Sequence, residues 1–138
     1  MIKFRPSSPV IVALLATSLC MASAFAQDLK LTGDQEVPSN TSTAVGTGSI
    51  KIDAAGNVSG SVAAPGMAGM AAHIHVGAAG VNGPVIIPLT GSAGDTWTVP
   101  AGAKLTDEQL AAYKAGNLYV NIHTAEHKGG EVRTQLKP

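Results

Sequence analysis

The segment Leu118-Tyr119-Val120-Asn121-Ile122-His123-Thr124 constrains the fold more than any other stretch of this chain. Leu118, Val120 and Ile122 fall on one parity; Tyr119, Asn121 and His123 fall on the other. Side chains of a strand alternate faces with period 2, so this segment reads as a strand with an apolar face and a chemically rich one. A strand cannot stand alone, and the rest of the chain supplies partners. Residues 29–32 read as a first strand. Residues 41–53 alternate, with Val45, Thr47, Ser49 and Lys51 against Ile50 and Ile52. Ala54-Ala55-Gly56-Asn57 turns that strand into residues 58–63 as a hairpin. Pro65-Gly66 then breaks the pattern. Residues 70–76 form the next strand, followed by a loop over 77–84 that holds three glycines and a proline. Residues 85–89 read as a short buried strand and 96–99 as another, with Trp97 as a core anchor or a rim residue. Lys128-Gly129-Gly130 turns the chain into a last strand over 131–136.

One helix interrupts this run. Thr106 is an N-cap residue and Gln109, three positions later, completes a capping box. Asp107 and Glu108 suit the positive end of the helix dipole. Leu110 and Tyr113 can share an inward face, and Gly116 ends the helix in a left-handed position. The helix is expected to carry the chain from one edge of a sheet to another. Roughly seven short strands with glycine-rich turns predict an all-β, immunoglobulin-like or superoxide-dismutase-like antiparallel β-sandwich with one short inserted helix.

The start of the chain belongs to targeting rather than to the fold. Lys3 and Arg5 precede an apolar stretch over residues 10–26, and Ala24-Phe25-Ala26 is a small-x-small cleavage site. Residues 1–26 are therefore expected to be a signal peptide and 27–138 the mature domain, periplasmic or secreted, with no membrane association after cleavage. Cys20, the only cysteine, lies in the removed segment. Leu19 before it disfavours a lipid-anchored reading, because a small residue is expected there. The mature chain thus has no disulfide and no thiolate ligand. Its stability rests on packing and on any bound ion. The nine Lys and Arg residues, less Lys3 and Arg5, leave seven against nine Asp and Glu. A mildly acidic domain with no basic run has no electrostatic basis for binding nucleic acid.

In order along the chain come Leu31-Thr32-Gly33-Asp34-Gln35-Glu36-Val37-Pro38, Ala72-His73-Ile74-His75-Val76-Gly77 and Asn82-Gly83-Pro84-Val85. Leu105-Thr106-Asp107-Glu108-Gln109, Gly116 through Thr124, and Gly129-Gly130-Glu131-Val132-Arg133 follow. This series, spanning residues 31–136, resembles the chordin-type CHRD domain family. The resemblance implies an immunoglobulin-like or superoxide-dismutase-like sandwich and says little about activity. His127-Lys128 stands where members of that family often carry Asn-Pro, so the resemblance lends His127 no role. The His-x-His strand is also similar to the copper-binding strand of copper-zinc superoxide dismutases. Here there is neither the usual disulfide nor a second histidine cluster with an aspartate for zinc. What the likeness implies is a copper-only remnant at His73, His75 and His123.

The residues themselves point the same way. All four histidines, His73, His75, His123 and His127, lie in or near two segments. His73 and His75 share a strand face, roughly 7 Å apart at Cα. Imidazole is the commonest ligand for transition metals, and His123 on a neighbouring strand supplies a third. The bland reading is that the pair sits on a solvated strand face. His127, four residues beyond His123, either folds back over the ion or faces water. Without cysteine ligands the site favours copper in a set of nitrogens, with zinc as the alternative. Glu131 and Arg133 share a strand face: they read as an exposed ion pair, or as groups that orient a histidine ring through its other nitrogen. Glu36 reads as a loop carboxylate or as a group that orients a ligand, and Met67 and Met70 as core fillers or as soft thioether ligands that favour Cu(I). No catalytic triad or carboxylate pair stands out.

These observations predict an exported module that binds a metal ion, most simply copper, for storage, transfer or protection. The alternatives are a metal-free structural domain with an unidentified protein partner, and a copper-dependent enzyme of the superoxide dismutase kind. Processing is directly testable. The mass of the exported protein should correspond to a chain beginning at Gln27; an intact Met1 or a lipid on Cys20 would overturn the soluble, exported reading.

Overall fold

The computed structural model describes residues 26–92 and 95–138; the signal-peptide expectation lies outside the described residues, apart from Ala26. Nine strands form a single antiparallel sheet. They are β1 (Gln27–Thr32), β2 (Val45–Ile52), β3 (Val58–Ala63), β4 (Ala71–Val76), β5 (Val85–Pro88), β6 (Thr90–Ser92), β7 (Thr96–Thr98), β8 (Leu118–His123) and β9 (Val132–Leu136). The helix α1 (Asp107–Lys114) lies between β7 and β8 in the chain. The strand order is β5-β4-β8-β9-β1-β2-β3-β7-β6. The end strands of that order, β5 and β6, are consecutive in the chain and separated only by Leu89, whose N–H donates to Ala72 O at 2.9 Å. The sheet therefore nearly closes on itself. Its two halves meet at a narrow seam where β1 and β9 pair through Thr32 and Arg133.

Alternation explains the core. Leu29, Leu31, Ile50, Ile52, Val58 and Val62 from β1–β3 face Ile74, Ile87, Leu118, Val120, Ile122, Val132 and Leu136 from β4, β5, β8 and β9. Burial of this apolar set is the main stabilising contribution in a domain without disulfides. The all-β expectation holds, with the single helix where the sequence placed it. Thr106 Oγ1 accepts from Gln109 N, and Gln109 Oε1 accepts from Thr106 N, closing the capping box. Leu110 and Tyr113 pack against the core while the helix buries none of its residues fully. It joins β7, next to one end of the sheet order, to β8, third from the other. No helix among the described residues is long and apolar enough to cross a membrane.

Most strand ends fall within two residues of expectation, and the larger or more telling differences have local causes. The ladder of β2 begins at Val45 rather than at 41, because Ser42 and Ala44 bond their N–H groups to the side chains of Asn40 and Ser42 instead. The last strand begins at Val132, leaving Glu131 in the preceding turn. The short strand β6 was not foreseen. It pairs with β7, and Trp97 lies across Gly91, where an added Cβ would sit 2.6 Å from the indole. Trp97 is half-buried against the core.

Ile122 is fully buried at 0% exposure on the inner face of β8. Ile122→Asp would bring an unpaired carboxylate into that core and should cost about 4 kcal/mol or more. Thermal or urea unfolding followed by circular dichroism measures it; an unchanged midpoint would mean the position does not face the core.

Candidate metal centre

The outer faces of β4, β8 and β9 carry the unusual residues. β4 and β8 pair antiparallel with His73 opposite Asn121, His75 opposite Tyr119 and Ala71 opposite His123. The same alternation that buries Ile74, Val120 and Ile122 sends His73, His75, Tyr119, Asn121 and His123 to the other face. His73 and His123 are diagonal neighbours across the two strands, within reach for side chains of this length. β5 adds a bulge beside them, with the register shifting between Ile74 and His75.

The three imidazoles converge. One ligand atom from each of His73, His75 and His123 lies within 4.8 Å of the others. His73 Nδ1 is 3.1 Å from His123 Nε2, and these two rings meet edge to face with centroids 4.8 Å apart. His75 Nε2 and His123 Nε2 each stand 3.0 Å from Asn121 Oδ1. Behind the rings, His75 Nδ1 is 2.9 Å from Gly83 O, and His123 Nδ1 is 2.9 Å from Lys128 O. Each of these two rings therefore has an acceptor oxygen at both nitrogens, a backbone carbonyl at Nδ1 and the Asn121 amide oxygen at Nε2. A neutral ring donates to one of them, and with the proton on Nδ1 the Nε2 lone pair points inward. Ligating histidines characteristically donate their second nitrogen to a backbone carbonyl in this way.

Burial disfavours the charged form of His73 and His75. It pushes the pKa of His73 below the ordinary value, and the neighbouring His123 and His75 push it further. For His75 burial also wins, although the bonds to Gly83 and Asn121 oppose it, and the charges of His123 and Arg133 add to the lowering.

The face is roofed by loops, and Arg133 secures them. This side chain is 1% exposed. Its guanidinium donates to Ala78 O at 2.9 Å, Val81 O at 3.0 Å, Gln135 Oε1 at 2.9 Å and Asn82 Oδ1 at 3.4 Å. It also lies 3.4 Å over the Tyr119 ring, which in turn stacks on His75 at 4.6 Å between centroids. Arg133 thus holds the 77–84 loop whose Gly83 carbonyl meets His75 Nδ1. It reaches His75 through Tyr119 and through that loop, not by a bond to a ring nitrogen.

The other residues singled out from the sequence take different places. His127 lies outside the convergent three. It is half-buried in the turn after β8, where its N–H donates to Thr124 Oγ1 and its carbonyl accepts from Gly130 N. Glu131 does not pair with Arg133 and does not orient a ring. Its carboxylate accepts 2.6 Å hydrogen bonds from Ser42 and Thr124, tying the 40–44 segment to the end of β8. Burial raises its pKa, but these hydroxyls and the charge of His127 outweigh that and leave it lowered. Met67 packs on the core as expected. Met70 does not: it is 68% exposed and lines a depression of about 350 Å³ with Ala71, His73, His123, Thr124, Ala125 and Lys128.

The sequence assigned Asn121 no site role, and gave Glu36 one only as the alternative to a loop carboxylate. Asn121 is 2% exposed and touches two of the three rings. Its place between Tyr119 and His123 on the polar parity of β8 was the available signal. Glu36, read as a loop carboxylate, is 5% exposed beneath Asn121. Burial raises its pKa, against the charge of Arg133, the Asn121 amide, the Val37 backbone and the charge of His127. Gly130, with φ +125°, leaves room for both: a Cβ there would overlap Glu36 Oε1 and come 2.6 Å from Asn121 Nδ2. That double requirement of space and positive φ accounts for glycine at this turn.

The CHRD domain family model matches residues 28–136. The chain belongs to the CHRD domain family. Searches of curated proteins and of solved structures returned no match. The markers noted in the sequence now have places: within this CHRD domain Gly130 clears Glu36 and Asn121, Gly83 bonds His75, and Arg133 clamps the loop between them.

The lowered pKa values of His73 and His75 carry a stability signature. Unfolding raises their affinity for protons, so the metal-free protein should lose stability as pH falls from above about 6.5, the unfolded histidine value, through the folded values below it. Glu36 has the opposite sign, because its raised pKa removes stability as pH rises past the ordinary carboxylate range. Unfolding midpoints of the metal-free protein at pH 7.5 and 5.5 should fall with pH, and the fall should shrink in a His73→Gln, His75→Gln variant. An equal fall in the variant would remove the histidines as its cause.

Proposed function

We propose that this CHRD domain is an exported module that holds one copper ion through His73, His75 and His123, for storage, transfer or protection. The observation that carries the reading is the convergence of three imidazoles, two of which have an outer nitrogen at a backbone carbonyl, Gly83 for His75 and Lys128 for His123. With Nδ1–H donated to those carbonyls, both Nε2 lone pairs are free to bind a cation beside the Asn121 oxygen. Imidazole suits Cu and Zn alike, and copper stands higher in the divalent affinity order. The chemistry of the set, nitrogens without thiolate, supports copper in an exported protein.

The depression beside His73 and His123 supports exchange of the ion rather than permanent structural burial, since two of the three ligands line its wall. The same access would admit a small substrate, which is the observation favouring a redox enzyme as a second reading.

Titration of the metal-free mature protein at neutral pH should show one copper per chain by elemental analysis. At about 100 times Kd, bound copper should add about 2.7 kcal/mol to stability. His73→Ala, His75→Ala and His123→Ala should each weaken binding by more than the about 10- to 100-fold typical of losing a supporting group, and His127→Ala by less. Uptake of neither copper nor zinc would defeat the reading. Zinc uptake alone would change the ion, and superoxide consumption by the copper form above that of buffer would favour the enzyme.

A further inference from the structure

We infer that Asn121 is itself a ligand, supplying an amide oxygen as the fourth donor to the ion, with Glu36 locking the amide in the ligating orientation. The inference rests on the metal-site reading above and deepens it. It starts from spacing. Two donors bound to one ion at about 2.0–2.1 Å, at angles of roughly 90–110°, stand about 2.9–3.4 Å apart. The chain of contacts His75 Nε2 to Asn121 Oδ1, Asn121 Oδ1 to His123 Nε2, and His123 Nε2 to His73 Nδ1 measures 3.0, 3.0 and 3.1 Å. Asn121 Oδ1 stands between His75 Nε2 and His123 Nε2 in this chain, the two nitrogens that offer lone pairs when Nδ1 of each ring donates to the carbonyl behind it.

Its orientation is settled by what lies behind it. The Asn121 Nδ2 end faces the Glu36 carboxylate and the Gly129 carbonyl, the latter at 3.5 Å. Turning the amide over would set its oxygen against these acceptors, so the nitrogen belongs there and the oxygen belongs with the rings. Glu36 is 5% exposed, and its Oε1 closes no hydrogen bond. A buried carboxylate oxygen left short of a donor is costly unless it serves a purpose. Here it lies against the N–H₂ side of an amide whose oxygen faces the His75 and His123 imidazoles. When ionised, the carboxylate polarises that amide toward a more electron-rich oxygen, a stronger donor to a cation. Gly130 keeps the space in which carboxylate and amide meet.

The test uses the mature protein, Asn121→Ala and Glu36→Gln. Asn121→Ala should lose about tenfold or more in Cu(II) affinity, and its Cu(II) electron paramagnetic resonance spectrum should change with the loss of the oxygen donor. Glu36→Gln should keep the wild-type spectrum with a smaller loss in affinity. Because Asn121 is buried and its truncation can impair folding, a second measurement stays with the wild type. In ¹⁵N-labelled protein, Zn(II) should shift the Asn121 side-chain amide more than any other side-chain amide. An unmoved Asn121 amide in zinc-loaded protein, or an Asn121→Ala variant that binds Cu(II) with unchanged affinity and spectrum, overturns the assignment while leaving the histidine site standing. A wild-type protein that takes up neither ion overturns both.

Discussion

Both faces of β8 are buried, and most of what is unusual in this domain follows from that. Leu118, Val120 and Ile122 face the core, as in any sandwich strand. The opposite face would ordinarily meet water, yet Tyr119 and Asn121 there are 2% exposed. Loops 33–44 and 77–84 lie over it. A polar face without water must satisfy its hydrogen bonds internally, because an orphaned buried group costs about 1–3 kcal/mol and a charged one more. The network from Glu36 through Asn121 to the histidines, and from Arg133 to the loops, answers that requirement.

Arg133 shows how the answer is built. A buried guanidinium without a directly bonded carboxylate is an expensive group in an apolar setting. Here three oxygens from the loops, one from Gln135 and the face of Tyr119 take up its charge. A desolvated cation–π contact contributes about 2 kcal/mol, comparable to one charged hydrogen bond. The consequence reaches further than the local balance. With Arg133 on one flank of Tyr119 and His75 on the other, the His75 ring is held parallel to the tyrosine with an interplanar angle of 6°. Its Nδ1 is met by a carbonyl from the loop that Arg133 pins. The rigidity of the candidate site is thus inherited from the seam strand β9, not from the imidazoles.

The strand framework was readable because alternation is a local property: Leu118 to His123, the hairpin β2–β3 and the capped helix all declare themselves within a few residues. The convergence of His73, His75 and His123 was readable as a proposal, since it needed only that two strands be neighbours. The parts that escaped depend on long-range contact. β6 has three residues and no apolar alternation, and it exists because Trp97 finds Gly91. Nothing local distinguishes Glu36 from a solvated loop acid; its burial comes from β8, β9 and the turn at Gly130 packing around it. Glu131 and Arg133 share a parity, which suggested an ion pair, but the turn ends between them. One bonds hydroxyls of Ser42 and Thr124, the other the opposite loop. Met70 follows the apolar pattern of a core residue, yet it precedes the first residue of β4 and stays exposed.

The balance between stability and binding follows from these placements. A sandwich without cysteine in its described part draws its stability from the core, and the imidazole cluster adds little to it. With Nδ1–H of His75 and His123 donated to the carbonyls behind them, their Nε2 lone pairs meet the Asn121 oxygen, an arrangement that opposes folding rather than assists it. The structure holds them there because the surrounding groups are over-determined: two carbonyls behind the rings, a tyrosine stacked on one of them, and a carboxylate behind the amide. Such preorganisation raises affinity for a cation by removing the cost of assembling its ligands at the moment of binding. The free energy spent in bringing these groups together reappears on binding a cation, as added stability of the loaded protein over the metal-free one. A solvated strand face has no reason to store that free energy, and this is why the geometry favours a ligand-holding role over an inert one.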